Sequence, residues 1–188
     1  MHRYISNCLA VAVAAILCAA CSGYEPSYPS AYREALTTIP GVEPVPATYV
    51  DEFVEFFSDV NADDALNRAE SLYAPELYFS DTLLTAHERS QVVRHMETLR
   101  RSGTEIALEV HDRLHRGADV YVIWSMTARF RAVGRNVESE TIGVTHLRFD
   151  EHGRVVLQQD FWDAAHGFYQ HVPVLGPFIR QVGSRFGD

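Results

Sequence analysis

Between Thr48 and Gly103 apolar residues recur every three to four positions, and from Thr104 onward they alternate with polar ones. That change of period predicts helices first and strands afterwards. Val50, Phe53, Val54 and Phe57 fall at i, i+3, i+4 and i+7 and predict a helix opening at Thr48, with Thr48 and Asp51 spaced as a capping box. Leu66, Ala69, Leu72 and Tyr73 mark a second helix, capped by Asn61 or Asp63 and ended by Pro75. "ELYFSD" reads as a short strand. Val92, Met96 and Leu99 mark a third helix from Ser90, with Gly103 as its stop. "TEIALEVHDRL", "ADVYVIWSMTARFR" and "RNVESETIGVTHLRFD" then read as long strands, and "EHG" turns the last of them into "RVVLQQDFWD". Three helices followed by antiparallel strands predict an α+β domain with the helices on one face of the sheet.

The first 46 residues do not share this pattern. "MHRYISNCLAVAVAAILCAAC" has a basic start, an apolar run from Leu9 to Leu17 and small residues before Cys21. This is the layout of an export signal spanning residues 1–20, and the run is short for a membrane span. Ala19 and Ala20 before Cys21 resemble the bacterial lipoprotein processing site, which implies that Cys21 carries the lipid anchor. Ser22 after it implies the outer membrane in a host that has one, and the cell envelope in any case. Residues 21–46, rich in Pro, Ser and Tyr, read as a flexible tether. Cys8 and Cys18 leave with the signal, so the mature chain holds one Cys and no internal disulfide.

Charge narrows the partners. The 188 residues carry a formal net charge of −9, and every basic residue apart from His is a scattered Arg. No basic stripe is available for nucleic acid or for electrostatic binding to anionic lipid. His111 and His115 are spaced H-x-x-x-H, a metal pattern only on a helix, and here the segment reads as strand and turn. No metal or cofactor is expected.

The strings "SLYAPELYFSD", "THLRFDEHGRVV" and "DFWD", in this order, resemble segments of the nuclear transport factor 2-like superfamily, with its ketosteroid isomerases and SnoaL-like polyketide cyclases. The resemblance spans residues 48–165, within a domain drawn at 47–165. It implies a strongly curved antiparallel sheet, a cone-shaped domain with an apolar pocket, and a homodimer through the outer sheet face. Asp81 matches the isomerases' general base. Thr145 stands where they place a protonated Asp, and Phe56 and Phe57 stand where their oxyanion-binding Tyr would fall, so isomerisation of steroids is not expected. Asp160 matches the closing-strand acid of the SnoaL-like cyclases. Alternation places Asp160 on one face with Gln158 and Trp162. Burial among Trp162, Trp124, Phe79 and Tyr78 raises its pKa, and a second acid in the cavity separates the two titrations.

The candidate site therefore contains Asp160 and Asp81 as acids, with Tyr78, Trp124, Thr145, His146 and Trp162 around a ligand. Asp160 has an alternative role in an ion pair with Arg129 or Arg148, and Asp163 has one as the cap of the following helix. The apolar segment 166–188 is expected to pack back on the domain as a clasp. Three functions fit: binding of a small apolar or amphiphilic molecule, acid/base isomerase, cyclase or hydratase chemistry with Asp160 and Asp81, and an envelope interaction module without a ligand. One scaffold hosts all three kinds of activity.

Overall fold

The computed structural model describes residues 27–132, 134–172 and 175–185. The processing site at Cys21 and the export signal lie outside them. Contacts divide the chain after Arg33. Of the first unit only residues 27–33 are described, as the opening of helix α1 (Tyr28–Thr38). The second unit contains everything that follows.

Helices α2 (Ala47–Ser58) and α3 (Ala65–Leu72) lead into strand β1 (Tyr73–Ser80). Then come β2 (Thr85–Glu88), α4 (Arg89–Arg101), β3 (Glu105–Arg116), β4 (Asp119–Ala132), β5 (Arg135–Phe149) and β6 (Val155–Trp162). Two short elements, α5 (Ala164–Gly167) and a 3-10 turn (Tyr169–His171), precede α6 (Leu175–Gly183). The strands form one sheet in the order β2-β1-β6-β5-β4-β3. β1 and β6 run parallel and the other neighbours antiparallel, so the expected purely antiparallel sheet carries one parallel seam. The seam arises because β1 comes before the helix α4 and the long meander, and β6 returns beside it from the far end. Register shifts in β1, β3 and β5–β6 bend the strands, and the sheet is curved and unclosed.

Local chemistry moved several expected boundaries. α2 begins at Ala47 behind Pro46 (φ −62°), without a side-chain cap. Pro46 already supplies the entry geometry, and Asp51 pairs with Arg113 instead of closing a capping box. α3 follows Asp64, not Asn61 or Asp63. Asn61 uses its side-chain amide as a strand mimic, donating to the Ile106 carbonyl and accepting from the Ile106 N–H. Pro75 lies inside β1, where the pairing is irregular and no ladder N–H is required. α4 starts one residue before Ser90, and Gln91 accepts the N–H groups of His87 and Glu88.

The expected tether is in part structured. Residues 28–38 are helical, Val42 N–H donates to the Phe149 carbonyl, and Arg148 donates to the carbonyls of Leu36 and Ile39. Helix-competent "SAYREALTT" outweighs the prolines around it.

The core lies between the helices and one sheet face. Phe53, Phe56 and Phe57 of α2 meet Tyr73, Phe79, Val92, Val122 and Trp124 there. Gly143 of β5, opposite Trp124, makes room for the indole. A Cβ at 143 would stand 2.4 Å from two ring atoms of Trp124 and 3.0 Å from the Phe161 carbonyl. Gly143→Ala is therefore expected to cost roughly 1–3 kcal/mol, read as a lowered denaturant midpoint. The same change should quench or shift the Trp124 fluorescence.

Candidate active site

Strand alternation turns Gln158, Asp160 and Trp162 of β6 toward the helices and leaves Phe161 exposed. These three side chains line a cavity of about 370 Å³ between the concave sheet face, α2, α4 and the residues just after β6. A small-molecule pocket typically begins near this size. Its wall is apolar, with Phe56, Phe57, Phe79, Trp124 and Trp162 among the lining residues. Leu83 and Ser102 at its edge are exposed, so the cavity opens to solvent there while Tyr73, Gln158 and Asp160 lie at depth.

Asp160 is 7 % exposed. Thr145, its register partner on β5, donates a hydroxyl hydrogen bond to Oδ1 at 2.7 Å. Trp124 on β4 donates from Nε1 to that hydroxyl oxygen at 2.8 Å. The Gln158 amide nitrogen lies 3.2 Å from both carboxyl oxygens and donates toward them. Tyr73 on β1 donates from its hydroxyl to Gln158 Oε1 at 2.7 Å. A polar chain thus crosses four strands at the bottom of an apolar hollow. Among the described residues no arginine joins it: Arg129 pairs with Glu138, and Arg148 with Asp119, which overturns the ion-pair alternative.

Burial pushes the Asp160 carboxyl up to about 7, the Asp81 charge adds to this, and the bonds from Thr145 and Gln158 pull back against it. Burial also holds the Tyr73 hydroxyl well above its usual value, with both acids contributing. When Asp160 is protonated, Oδ1 still receives the Thr145 hydrogen. The proton then belongs on Oδ2, from which it can pass to a ligand in the cavity or, when the Gln158 amide turns, to Gln158 Oε1.

Asp81 sits just past β1 in a tight turn where Thr82 adopts a φ of +78°. Its Oδ1 accepts the N–H groups of Leu83 and Leu84 at 3.0 and 2.8 Å. Oδ2 accepts Nε2–H of His95 at 2.7 Å. Trp162 donates from Nε1 to the Asp81 carbonyl at 2.9 Å and joins the end of β6 to this turn. The carboxylate selects the tautomer of His95 protonated at Nε2, leaving the Nδ1 lone pair as the acceptor.

The expected site residues do not all meet. Asp81, Asp160, Trp124 and Trp162 line the cavity, and Thr145 touches Asp160 from behind. Tyr78 and His146, expected around the ligand, do not reach it. Each is adjacent to an inward residue, Phe79 and Thr145, and the pleat sends neighbours to opposite faces. Tyr78 donates to Gln159 Oε1 and packs near His87. His146 donates to Asp119, stacks on Tyr121, and is made less basic by burial. Asp163 accepts the N–H of His166 and caps α5, its alternative role.

Sequence reasoning passed over His95, Tyr73 and the full part played by Gln158. His95 had a visible signal: it lies on the inward stripe of α4 with Val92, Met96 and Leu99, a polar residue among apolar ones. Tyr73 gave none, because it read as the end of a helix.

Thr145→Val tests the polar chain directly. It removes a bond that favours the carboxylate and leaves Trp124 Nε1 without its acceptor. The Asp160 titration is expected to move above 7, read by NMR or a pH profile. Stability should fall by about 1–3 kcal/mol from the unpaired indole N–H.

Comparison with known structures finds the same fold in solved proteins. An LEH-like epoxide hydrolase of M. tuberculosis is similar over 65 % of this chain and 90 % of its own, at 14 % identity and a TM-score of 0.54. TsrD from Streptomyces laurentii is similar over 70 % and 99 %, at 12 % identity and 0.55. A nuclear transport factor 2-like protein from Exiguobacterium sp. 255-15 is similar over 61 % and 98 %, at 14 % identity and 0.52. At these identities the likeness concerns the fold. No curated protein matches the chain in sequence. The model of the SnoaL-like domain matches residues 50–158, more than half of the chain; the match contains β1, α4, Trp124 and Thr145 and ends two residues before Asp160. The chain belongs to the SnoaL-like domain family.

Proposed function

We propose that this protein is a general acid/base enzyme acting on a small, largely apolar molecule, with Asp160 delivering a proton to a substrate oxygen. The observation that carries this reading is a buried carboxyl group, poised near 7, that lines an apolar cavity also lined by the Asp81–His95 pair. A neutral acid at the bottom of an apolar hollow is suited to protonating a leaving oxygen, because the departing group takes the proton and needs no oxyanion donor. That matters here, since Phe56 and Phe57 line the cavity and Thr145 directs its hydroxyl to Asp160.

In a hydration, Asp160 gives its Oδ2 proton to the substrate oxygen as the carbon–oxygen bond breaks. Water forms the new bond to that carbon and passes a proton to His95 Nδ1, while Asp81 holds the imidazole and stabilises its charge. Return of a proton from His95 to Asp160 through solvent restores both groups. Opening of an epoxide fits this scheme, and a solved protein of the same fold is an LEH-like epoxide hydrolase.

Binding without chemistry is the second reading, favoured by the fact that no described buried side-chain polar atom lacks a partner. The two are separated by incubating the protein with small apolar epoxides, β-hydroxy ketones and enones, alongside native mass spectrometry for retained ligand. Turnover of one class by the wild type, lost in Asp160→Asn with ligand still bound, supports the enzyme. Retention of ligand with every class unchanged supports the carrier.

Anchoring through an acylated Cys21 in the cell envelope completes the proposal, on the strength of the small residues before it. The mass of the mature N-terminal peptide tests it.

A further inference from the structure

One side chain, Trp162, joins the segment that follows β6 to the Asp81–His95 pair. The last paired residue of β1 is Ser80, opposite Gln159. One position further on, the Asp81 N–H donates to the Leu84 carbonyl at 3.2 Å, and the Asp81 carbonyl accepts the Trp162 indole N–H at 2.9 Å. The indole thus carries the attachment of β1 to β6 past the end of the ladder. The turn that it ties down is a strained one. Thr82 holds a φ of +78° without being glycine, a conformation that persists only where its surroundings impose it.

The opposite edge of the indole is seated on Gly167. A Cβ at 167 would stand 2.7 Å from Cζ3 and 3.3 Å from Cε3 of Trp162, so the ring lies against a bare α-carbon. Gly167 is itself fixed. Its carbonyl accepts the buried Ser139 hydroxyl at 2.6 Å, and its N–H donates to the Asp163 carbonyl at 2.8 Å. A continuous path therefore runs from β5 through Gly167, the indole and the Asp81 turn to His95, whose Nε2 lies 2.7 Å from Asp81 Oδ2.

We propose that Trp162 is a positioning residue: seated on Gly167 and bonded to the Asp81 carbonyl, it holds the Asp81 carboxylate where that group fixes His95 in the tautomer protonated at Nε2. Without the indole bond the turn relaxes, Oδ2 leaves Nε2, and the imidazole loses the partner that selects one tautomer. Displacing such a group by about 1 Å costs up to about 100-fold in rate. This inference rests on the acid/base reading for the use made of His95, whereas the hold on the imidazole belongs to the folded chain alone.

The test is the imidazole nitrogen spectrum of the full chain labelled with 15N-histidine, at about pH 8, where an ordinary imidazole is neutral. The His95 signals are those missing in His95→Gln. Trp162→Phe keeps a ring against Gly167 and removes the N–H, while Gly167→Ala keeps the N–H and displaces the ring. The expected result is the Nε2–H tautomer in the wild type and a mixture of tautomers in both variants, with the Leu83 and Leu84 amides exchanging several-fold faster. Should Gly167→Ala fail to fold, Ser139→Ala frees the Gly167 carbonyl without crowding the ring and is expected to move the signal the same way. On any substrate class that the wild type turns over, Trp162→Phe should lower kcat and leave KM within a few-fold. A wild-type His95 spectrum in Trp162→Phe overturns the inference, and if the wild type turns over a substrate it leaves the acid/base reading standing. Mixed tautomers in the variants of a chain that turns over no epoxide, β-hydroxy ketone or enone uphold the positioning and remove the acid/base reading.

Discussion

Asp160→Asn is expected to make the protein more stable at pH 8 and to remove most of its turnover. The folded carboxyl titrates near 7 against an ordinary 3.8. Below about pH 4 folded and unfolded chains both hold the proton, and the burial of Asp160 carries no charge penalty. Between about 4 and 7 only the folded chain holds it, so stability falls as pH rises through this window and stays low above it. The difference amounts to roughly 4 kcal/mol at most. Asn resembles the neutral acid, and Gln158 can accommodate it by turning its amide while the Tyr73 hydroxyl becomes an acceptor. Urea denaturation at pH 4 and pH 8 should therefore show wild type and variant alike at the lower pH and separated at the higher one. Turnover in the same variant should fall by about 10²–10⁴-fold, the usual loss of a general acid. A variant as active as the wild type would remove Asp160 from the mechanism.

His95→Gln is expected to lower turnover by about 100-fold or more while ligand affinity stays within a few-fold. Gln can still donate to Asp81, so the turn at 81–84 is kept, but it offers no basic nitrogen to a water. Asp81→Asn should behave differently. Its side-chain oxygen can still accept the Leu83 and Leu84 N–H groups, and removing its charge takes away one of the causes that raise Asp160. The Asp160 titration in that variant is expected below 7, and a pH–rate profile should move its Asp160 limb to lower pH. Equal profiles for wild type and Asp81→Asn would show that the two acids do not communicate.

The inward face of β6 was legible before any coordinates. Period-two alternation is a covalent property of an extended chain, so once "RVVLQQDFWD" read as a strand, Gln158, Asp160 and Trp162 had to share a side. The same rule, applied strictly, would have rejected Tyr78 beside Phe79 and His146 beside Thr145. Those two entered through the company they keep in sequence, and the pleat sends them to the other face. Helix stripes were readable for the same geometric reason, and His95 lay on one of them. Cap positions were not, because Asn61 and Asp51 found partners on β3 that only the packed helices bring near.

By itself the chain of residues determined the order of elements, the α+β class and the side of each strand that is buried, since these follow from local periodicity. It also determined that Gln158, Asp160 and Trp162 would share one face of the last strand. Only the tertiary structure decided that β1 returns parallel to β6, that a hollow remains between sheet and helices, and that Tyr73, Gln158, Thr145 and Trp124 converge on one carboxyl from four strands. Those outcomes depend on pairings between residues as far apart as Tyr73 and Gln158, and on the space left after packing. Neither quantity is written in any local window of sequence.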